Sequence, residues 1–119
     1  MFCSCGKTHP DEIDGFNIEY AQKAVSKYYE SGFIYAYPEK DIVFVDYDKE
    51  QCRGTFKTTE KFNKYLTDSG LNLYYGVFYV EKDSYGSYCA VSESTTDGNM
   101  PSAHGIFHPD SNGDDVVVN

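Results

Sequence analysis

The segment Cys3-Ser4-Cys5-Gly6-Lys7-Thr8-His9 places two thiols and an imidazole within seven residues. Thiolate sulfur and imidazole nitrogen are the ligands that a structural Zn2+ takes, and Gly6 lets the backbone turn so that its N–H groups support the sulfurs. Cys3, Cys5 and His9 would supply three of the four ligands, with Cys52, Cys89, His104 or His108 as the fourth. His104 and His108 have three residues between them, a spacing used by one half of many zinc sites, so Cys3, Cys5, His104 and His108 form an alternative set. The competing reading is an N-terminus with two exposed thiols. C-x-C is a poorer spacing than C-x2-C and no second cysteine pair exists, so that reading outweighs the metal one. No cofactor is therefore expected, with Zn2+ as the alternative.

Asp46, Asp48 and Glu50 occupy alternate positions after Ile42 and Phe44. Side chains of an extended chain alternate between its faces, so the three carboxylates are expected on one side. Together they would chelate Mg2+ or Ca2+ through oxygen, although the glycine and terminal glutamate of a calcium-binding loop are missing. They would equally form a row of negative charge shaped for a basic groove, and a solvated strand end is the plainer alternative. Cys52 lies beside Arg53, a cation that favours thiolate, with His104 or His108 as its candidate base. Cys89, in Tyr88-Cys89-Ala90-Val91, reads as a core thiol. The chain has no G-x-S-x-G, no phosphate-cradling glycine loop and no dinucleotide fingerprint, so a non-catalytic protein is the expectation.

Charge narrows the partners. Asp and Glu number 19 against 10 Lys and Arg, a net charge of -9 on 119 residues, and Arg53 is the sole arginine. That field repels phosphate backbones and anionic lipid and attracts basic surfaces. Tyr74, Tyr75, Tyr79, Tyr85 and Tyr88 would stack on single-stranded nucleic acid only beside a basic surface, and Lys82 is almost alone there, so direct nucleic-acid binding is not expected. These rings serve instead as cross-strand packing or as interface anchors. The start carries no signal-peptide core and no apolar run nears the roughly 20 residues of a membrane span, so a cytoplasmic protein with reduced cysteines and no membrane contact is expected.

The elements that must position these groups follow from periodicity. The length suits a single domain over 1–119, with 1–16 an irregular lead-in containing turns at His9-Pro10 and Asp14-Gly15. Ile18, Ala21, Val25 and Tyr28 keep helical spacing between an Asn17 N-cap and a Gly32 stop. Residues 33–37 and 42–45 read as a hairpin over Pro38-Glu39-Lys40-Asp41, and 52–57 as a third strand with Gly54 at a bulge or edge. Thr58 or Thr59 caps a short helix bearing Phe62, Tyr65 and Leu66 and ending at Gly70. Residues 71–80 read as a central strand, apolar on both faces and paired with 85–91. Gly105-Ile106-Phe107 is a candidate edge strand, and 109–119 is expected to be a mobile acidic tail. The sum is an α+β fold, an antiparallel or mixed sheet of about four to six strands with two helices packed on one face.

In composition, though in no motif, the chain resembles the small acidic inhibitor proteins that bacteriophages make against host defence and transcription machinery. The resemblance implies a non-catalytic inhibitor of a larger basic or nucleic-acid-binding protein. Asp46, Asp48, Glu50, Asp110, Asp114 and Asp115 are the residues expected to take the place of phosphates, with Tyr75 and Tyr79 as buried anchors.

Overall fold

In the computed structural model, which describes residues 9–93 and 105–115, the chain enters through a two-stranded hairpin of β1 (Glu12–Ile13) and β2 (Phe16–Asn17). Asp14 and Gly15 both have positive φ, 51° and 83°, as the two-residue turn that follows strand twist demands. The stretch read as an irregular lead-in thus contains a hairpin, organised by Phe16, which is buried in the core. Helix α1 (Ile18–Glu30) starts at the expected cap, where Asn17 Oδ1 accepts the Tyr20 N–H at 2.9 Å. It stops at Ser31, and the left-handed residue beyond it is Phe33 (φ 65°) rather than Gly32.

The hairpin expected from 33–37 and 42–45 does not form. Ser26 of α1 donates to the Ala36 carbonyl at 2.5 Å, and the Asp41 carboxylate accepts the Tyr37 N–H at 2.9 Å. With those backbone groups satisfied by side chains and Pro38 pre-set for a helical first turn, the segment closes into the one-turn helix α2 (Pro38–Asp41). Strand β3 (Ile42–Asp48) pairs instead with β4 (Arg53–Thr58). Thr59 caps α3 (Glu60–Asp68), and β5 (Val77–Lys82), β6 (Tyr88–Ser92) and β7 (Gly105–Phe107) complete an antiparallel sheet in the order β3-β4-β5-β6-β7. Strand β5 begins later than expected because the Tyr74 hydroxyl holds both backbone groups of Val77, at 2.8 and 2.9 Å, and Gly76 turns the chain at φ 132°.

Alternation along the strands turns Phe56, Phe78, Val80 and Ala90 toward α1, and all are fully buried. Helix α1 lies against β6 and β7 and reaches β3 and β5, while α3 joins it through Phe62, whose ring centroid is 4.8 Å from that of Tyr29. Polar side chains of α1 tie the loops to this core: Gln22 donates to the Ile42 carbonyl at 2.9 Å and Tyr29 to the Tyr74 carbonyl at 2.6 Å. Burial first, and then the neighbouring Tyr28 and Tyr74 hydroxyls, raise the Tyr29 pKa far above its ordinary value, so it stays a donor. Among the described residues no helix is long and apolar enough to cross a membrane.

Two strand glycines are there for the space they leave. A Cβ on Gly54, which sits in the interior strand β4 rather than at an edge or bulge, would fall 2.8 Å from the Phe16 ring. One on Gly105 would fall 1.7 Å from the Ala24 carbonyl oxygen of α1. Alanine for glycine in a strand ordinarily gains about 0.5–1 kcal/mol. Gly105→Ala is expected to reverse that sign and cost about 2 kcal/mol or more by lifting α1 off the sheet, read as a lower midpoint in urea denaturation.

Candidate functional site

Strict alternation from Ile42 and Phe44 would carry Asp46 and Asp48 onto the core face of β3. The register prevents it: Phe44 opposes Phe56, Asp46 opposes the next residue back, Thr55, and Val45 is the extra residue of a β-bulge. Parity resets, so Tyr47 turns inward opposite Gly54 and packs on Phe16 with ring centroids 4.8 Å apart. Asp46 and Asp48 are exposed on the face opposite α1. Asp48 Oδ1 also accepts the Glu50 and Gln51 N–H groups at 2.9 and 3.1 Å, which shapes the β3–β4 turn and puts Glu50 at its tip rather than in the strand.

Beside these carboxylates lies a polar depression of about 480 Å3, lined by Asp46, Asp48, Gln51, Arg53, Thr55 and Tyr79. The Arg53 guanidinium stacks 4.9 Å from the Tyr79 ring centroid, and its Nε is 3.5 Å from Glu81 Oε2. The Tyr79 hydroxyl donates to Glu93 Oε2 at 3.1 Å; burial first, and then that carboxylate, raise its pKa. Val77, Cys89, Val91 and Ile106, which alternate with the core residues of their strands, are all partly exposed on this same face.

The remaining interface residues lie apart from this group. Tyr75 is half-exposed in the segment before β5, off the strand that carries Tyr79, so the two do not alternate along one face as their spacing implied. The hairpin tyrosines divide likewise, with Tyr88 buried inside and Tyr85 exposed at the turn. Asp110 Oδ1 accepts the Asn112 and Asp114 N–H groups at 2.8 and 2.9 Å, closing a turn beyond β7, where Pro109 and Asp115 form a bridge. Asp115 pairs with Lys27 of α1 at 2.7 Å. This turn adjoins one edge of the five-stranded sheet and Asp46 lies at the other, about 19 Å away at 4.8 Å per strand spacing. The acidic residues thus form two regions rather than one row.

Cys3, Cys5 and His104 lie outside the described residues. His9 packs against Phe44 of β3, whereas His108 follows β7 with its Nδ1 against the Ser87 hydroxyl, so His108 is not a fourth ligand beside His9. Cys52, exposed at the β3–β4 turn, is likewise across the sheet from His108, and that thiol–base pair does not form. Cys89 is half-buried on the outward face rather than in the core; burial first, and then Asp83 and Glu81, push its thiol pKa up, the opposite of an activated nucleophile. Among the described residues no three His, Cys, Asp or Glu side chains converge as metal ligands, which removes the Asp46, Asp48 and Glu50 chelate.

One surface escaped the pattern reading. Tyr35, Tyr37, Phe62 and Tyr65, with Lys40 and Lys61, line a groove of about 400 Å3 between α2 and α3. The Tyr35 and Tyr37 rings meet edge-on at 4.6 Å, and both remain 55 % exposed. Their alternation mimics a strand, and Pro38, which favours an extended Tyr37 in either case, does not tell the two apart.

The pair of Lys27 and Asp115 fixes a pH dependence. Burial opposes ionisation of Asp115, but the hydrogen bonds from Lys27 and the His108 N–H, with the Lys27 charge, outweigh it and hold its pKa below the ordinary value. A depressed carboxyl contributes stability above its unfolded pKa and loses it as pH falls through the folded one. Asp115→Asn is therefore expected to cost about 1 kcal/mol or less at neutral pH, with the difference from the parent vanishing in thermal melts at acid pH. No protein-family model, no curated protein and no solved structure matches this chain.

Proposed function

We propose that this chain is a non-catalytic interaction protein that lays its outward sheet face on a basic, nucleic-acid-binding surface of a larger protein and blocks it. The bulge at Val45 carries this reading: it takes two carboxylates off the core side and displays them on the outward face that also bears Glu81 and the Tyr79 ring, with Arg53 and Thr55 of β4 between. Carboxylates placed this way act as phosphates do toward lysine and arginine, steering the encounter and fixing its register, while a partly buried tyrosine supplies contact area at low entropy cost. Two unit charges 4 Å apart near a protein surface attract by about 4 kcal/mol before desolvation, so charge mainly sets on-rate and selectivity. The acidic composition shared with phage inhibitor proteins supports the same reading.

The test replaces Asp46→Asn, Asp48→Asn and Glu50→Gln together. The amide introduced by Asp48→Asn retains the Oδ1 acceptor on which the β3–β4 turn depends, so the fold is expected to survive. Tagged parent and variant are used side by side to capture partners from lysate at low and high salt, with duplex DNA as competitor. The expected result is one stoichiometric basic partner, released by salt and by DNA and not retained by the variant. Equal retention by parent and variant would remove this face from the interface.

A further inference from the structure

The groove between α2 and α3 has fixed aromatic walls. Ser26 holds the Ala36 carbonyl and Asp41 the Tyr37 N–H, so the backbone from Tyr35 to Tyr37 is pinned where the two rings meet edge-on. On the far side Phe62 is anchored on Tyr29 in the core, and the half-exposed Tyr65 lies against it with 6.1 Å between ring centroids. Rings held this way offer contact area at little further entropy cost, and each tyrosine brings a hydroxyl that can donate. A second depression, of about 350 Å3, runs from the same Tyr35 and Tyr37 pair over Pro38 to Glu19 and Lys23 of α1. The two depressions thus form one elongated track with the tyrosine pair shared between its halves. Charge along the α2–α3 half differs from that of the chain. Lys40 and Lys61 are exposed there, and neither has a carboxylate partner among the described residues. The Tyr37 ring keeps the Lys40 ammonium in place, 5.4 Å from its centroid, while the Asp41 carboxylate is buried and engaged with the Tyr37 N–H. Charges farther off than a Debye length of about 8 Å are largely screened at physiological salt, so the two lysines rather than the net charge of -9 decide the sign of ligand accepted.

We propose that this groove binds an acidic, proline-rich peptide segment of a partner protein in the polyproline II conformation. The elongated track suits an extended chain rather than a compact small molecule. Polyproline II has no internal hydrogen bonds, so its carbonyls are open to the tyrosine hydroxyls while its pyrrolidine rings pack between the aromatic side chains. Such a chain is preformed, which matches a groove whose walls are already pinned and keeps the ordering cost of binding small. A carboxylate of the segment meets Lys40 and Lys61. No residue lines both this groove and the polar depression on the outward sheet face, so the inference does not depend on the function proposed for that face.

A fluorescein-labelled peptide of repeated Glu-Pro-Pro triplets is titrated with the full chain and followed by anisotropy, beside matched peptides carrying Lys for Glu or Ala for Pro. The tyrosine ring protons are followed by NMR. The Glu-Pro-Pro peptide is expected to bind and to shift Tyr35, Tyr37 and Tyr65, with the Lys and Ala versions weaker by about tenfold or more. Tyr35→Ala, Tyr65→Ala and the double reversal Lys40→Glu with Lys61→Glu are each expected to weaken binding about tenfold or more, whereas Asp46→Asn leaves it unchanged. All the altered side chains are exposed, so the variants are expected to melt as the parent does. Should Tyr35→Ala misfold, the lysine reversal still decides, because it must also abolish the preference for Glu over Lys in the peptide. No binding, equal binding of the Lys peptide, or binding that these variants do not weaken would overturn the proposal. So would self-association of the chain that the tyrosine variants lose and the peptide cannot displace, which would make a second copy the occupant.

Discussion

The structure depends on how closely α1 approaches the sheet. The Ala24 carbonyl sits where a side chain of Gly105 would be, and Ala21, Ala24 and Ala90 present no bulk between helix and strands. That contact brings the helix within reach of the sheet's inward rings, among them Phe78, Tyr88 and Phe107. It also decides which face of the sheet is core and which faces solvent. Small residues at the contact and large aromatics around it give the density that a single layer of helix over sheet requires.

From that choice of face follows the bulge. Once Ile42 and Phe44 are committed to the core, period-two alternation would drive two carboxylates under α1, at a desolvation cost of several kcal/mol each. One inserted residue, Val45, costs less, and it turns Tyr47 inward opposite Gly54, against the Phe16 ring that fills the space Gly54 leaves. The exposed acidic corner and the packed aromatic cluster of Phe16, Tyr47 and Tyr88 are therefore two outcomes of one register shift. Negative charge at this corner is partly met by Arg53, whose guanidinium is shared between the Tyr79 ring and Glu81.

The loops are held by side chains acting as backbone. Ser26 on Ala36, Tyr29 on Tyr74, Tyr74 on Val77 and Tyr88 on Asn17 each satisfy a main-chain group that would otherwise look for a strand partner. An abundance of tyrosine makes this arrangement possible, because each ring fills core while its hydroxyl finds a carbonyl or an amide. The same arrangement leaves Tyr35, Tyr37 and Tyr65 at the surface, since the segment they flank is fixed by Ser26 and Asp41 and has no strand to join.

Local chemistry was legible in the sequence wherever it acts over a few residues. The Asn17 and Thr59 caps, the Asp14-Gly15 turn, the α1 periodicity and the α+β class with its antiparallel strands follow from propensity and spacing. The net charge and the presence of carboxylates at 46, 48 and 50 are likewise properties of the chain itself. Tertiary structure alone decided which strands pair, because 33–37 is richer in β-formers than 53–58 and yet contacts with Ser26 and Asp41 keep it out of the sheet. It also decided which way the carboxylates point, since parity along a strand is absolute until a bulge resets it, and a bulge is chosen by the core it spares. The meeting of His9 with Glu39 belongs to the same class: side chains thirty residues apart in sequence come within 3.8 Å where the imidazole packs edge-on against Phe44.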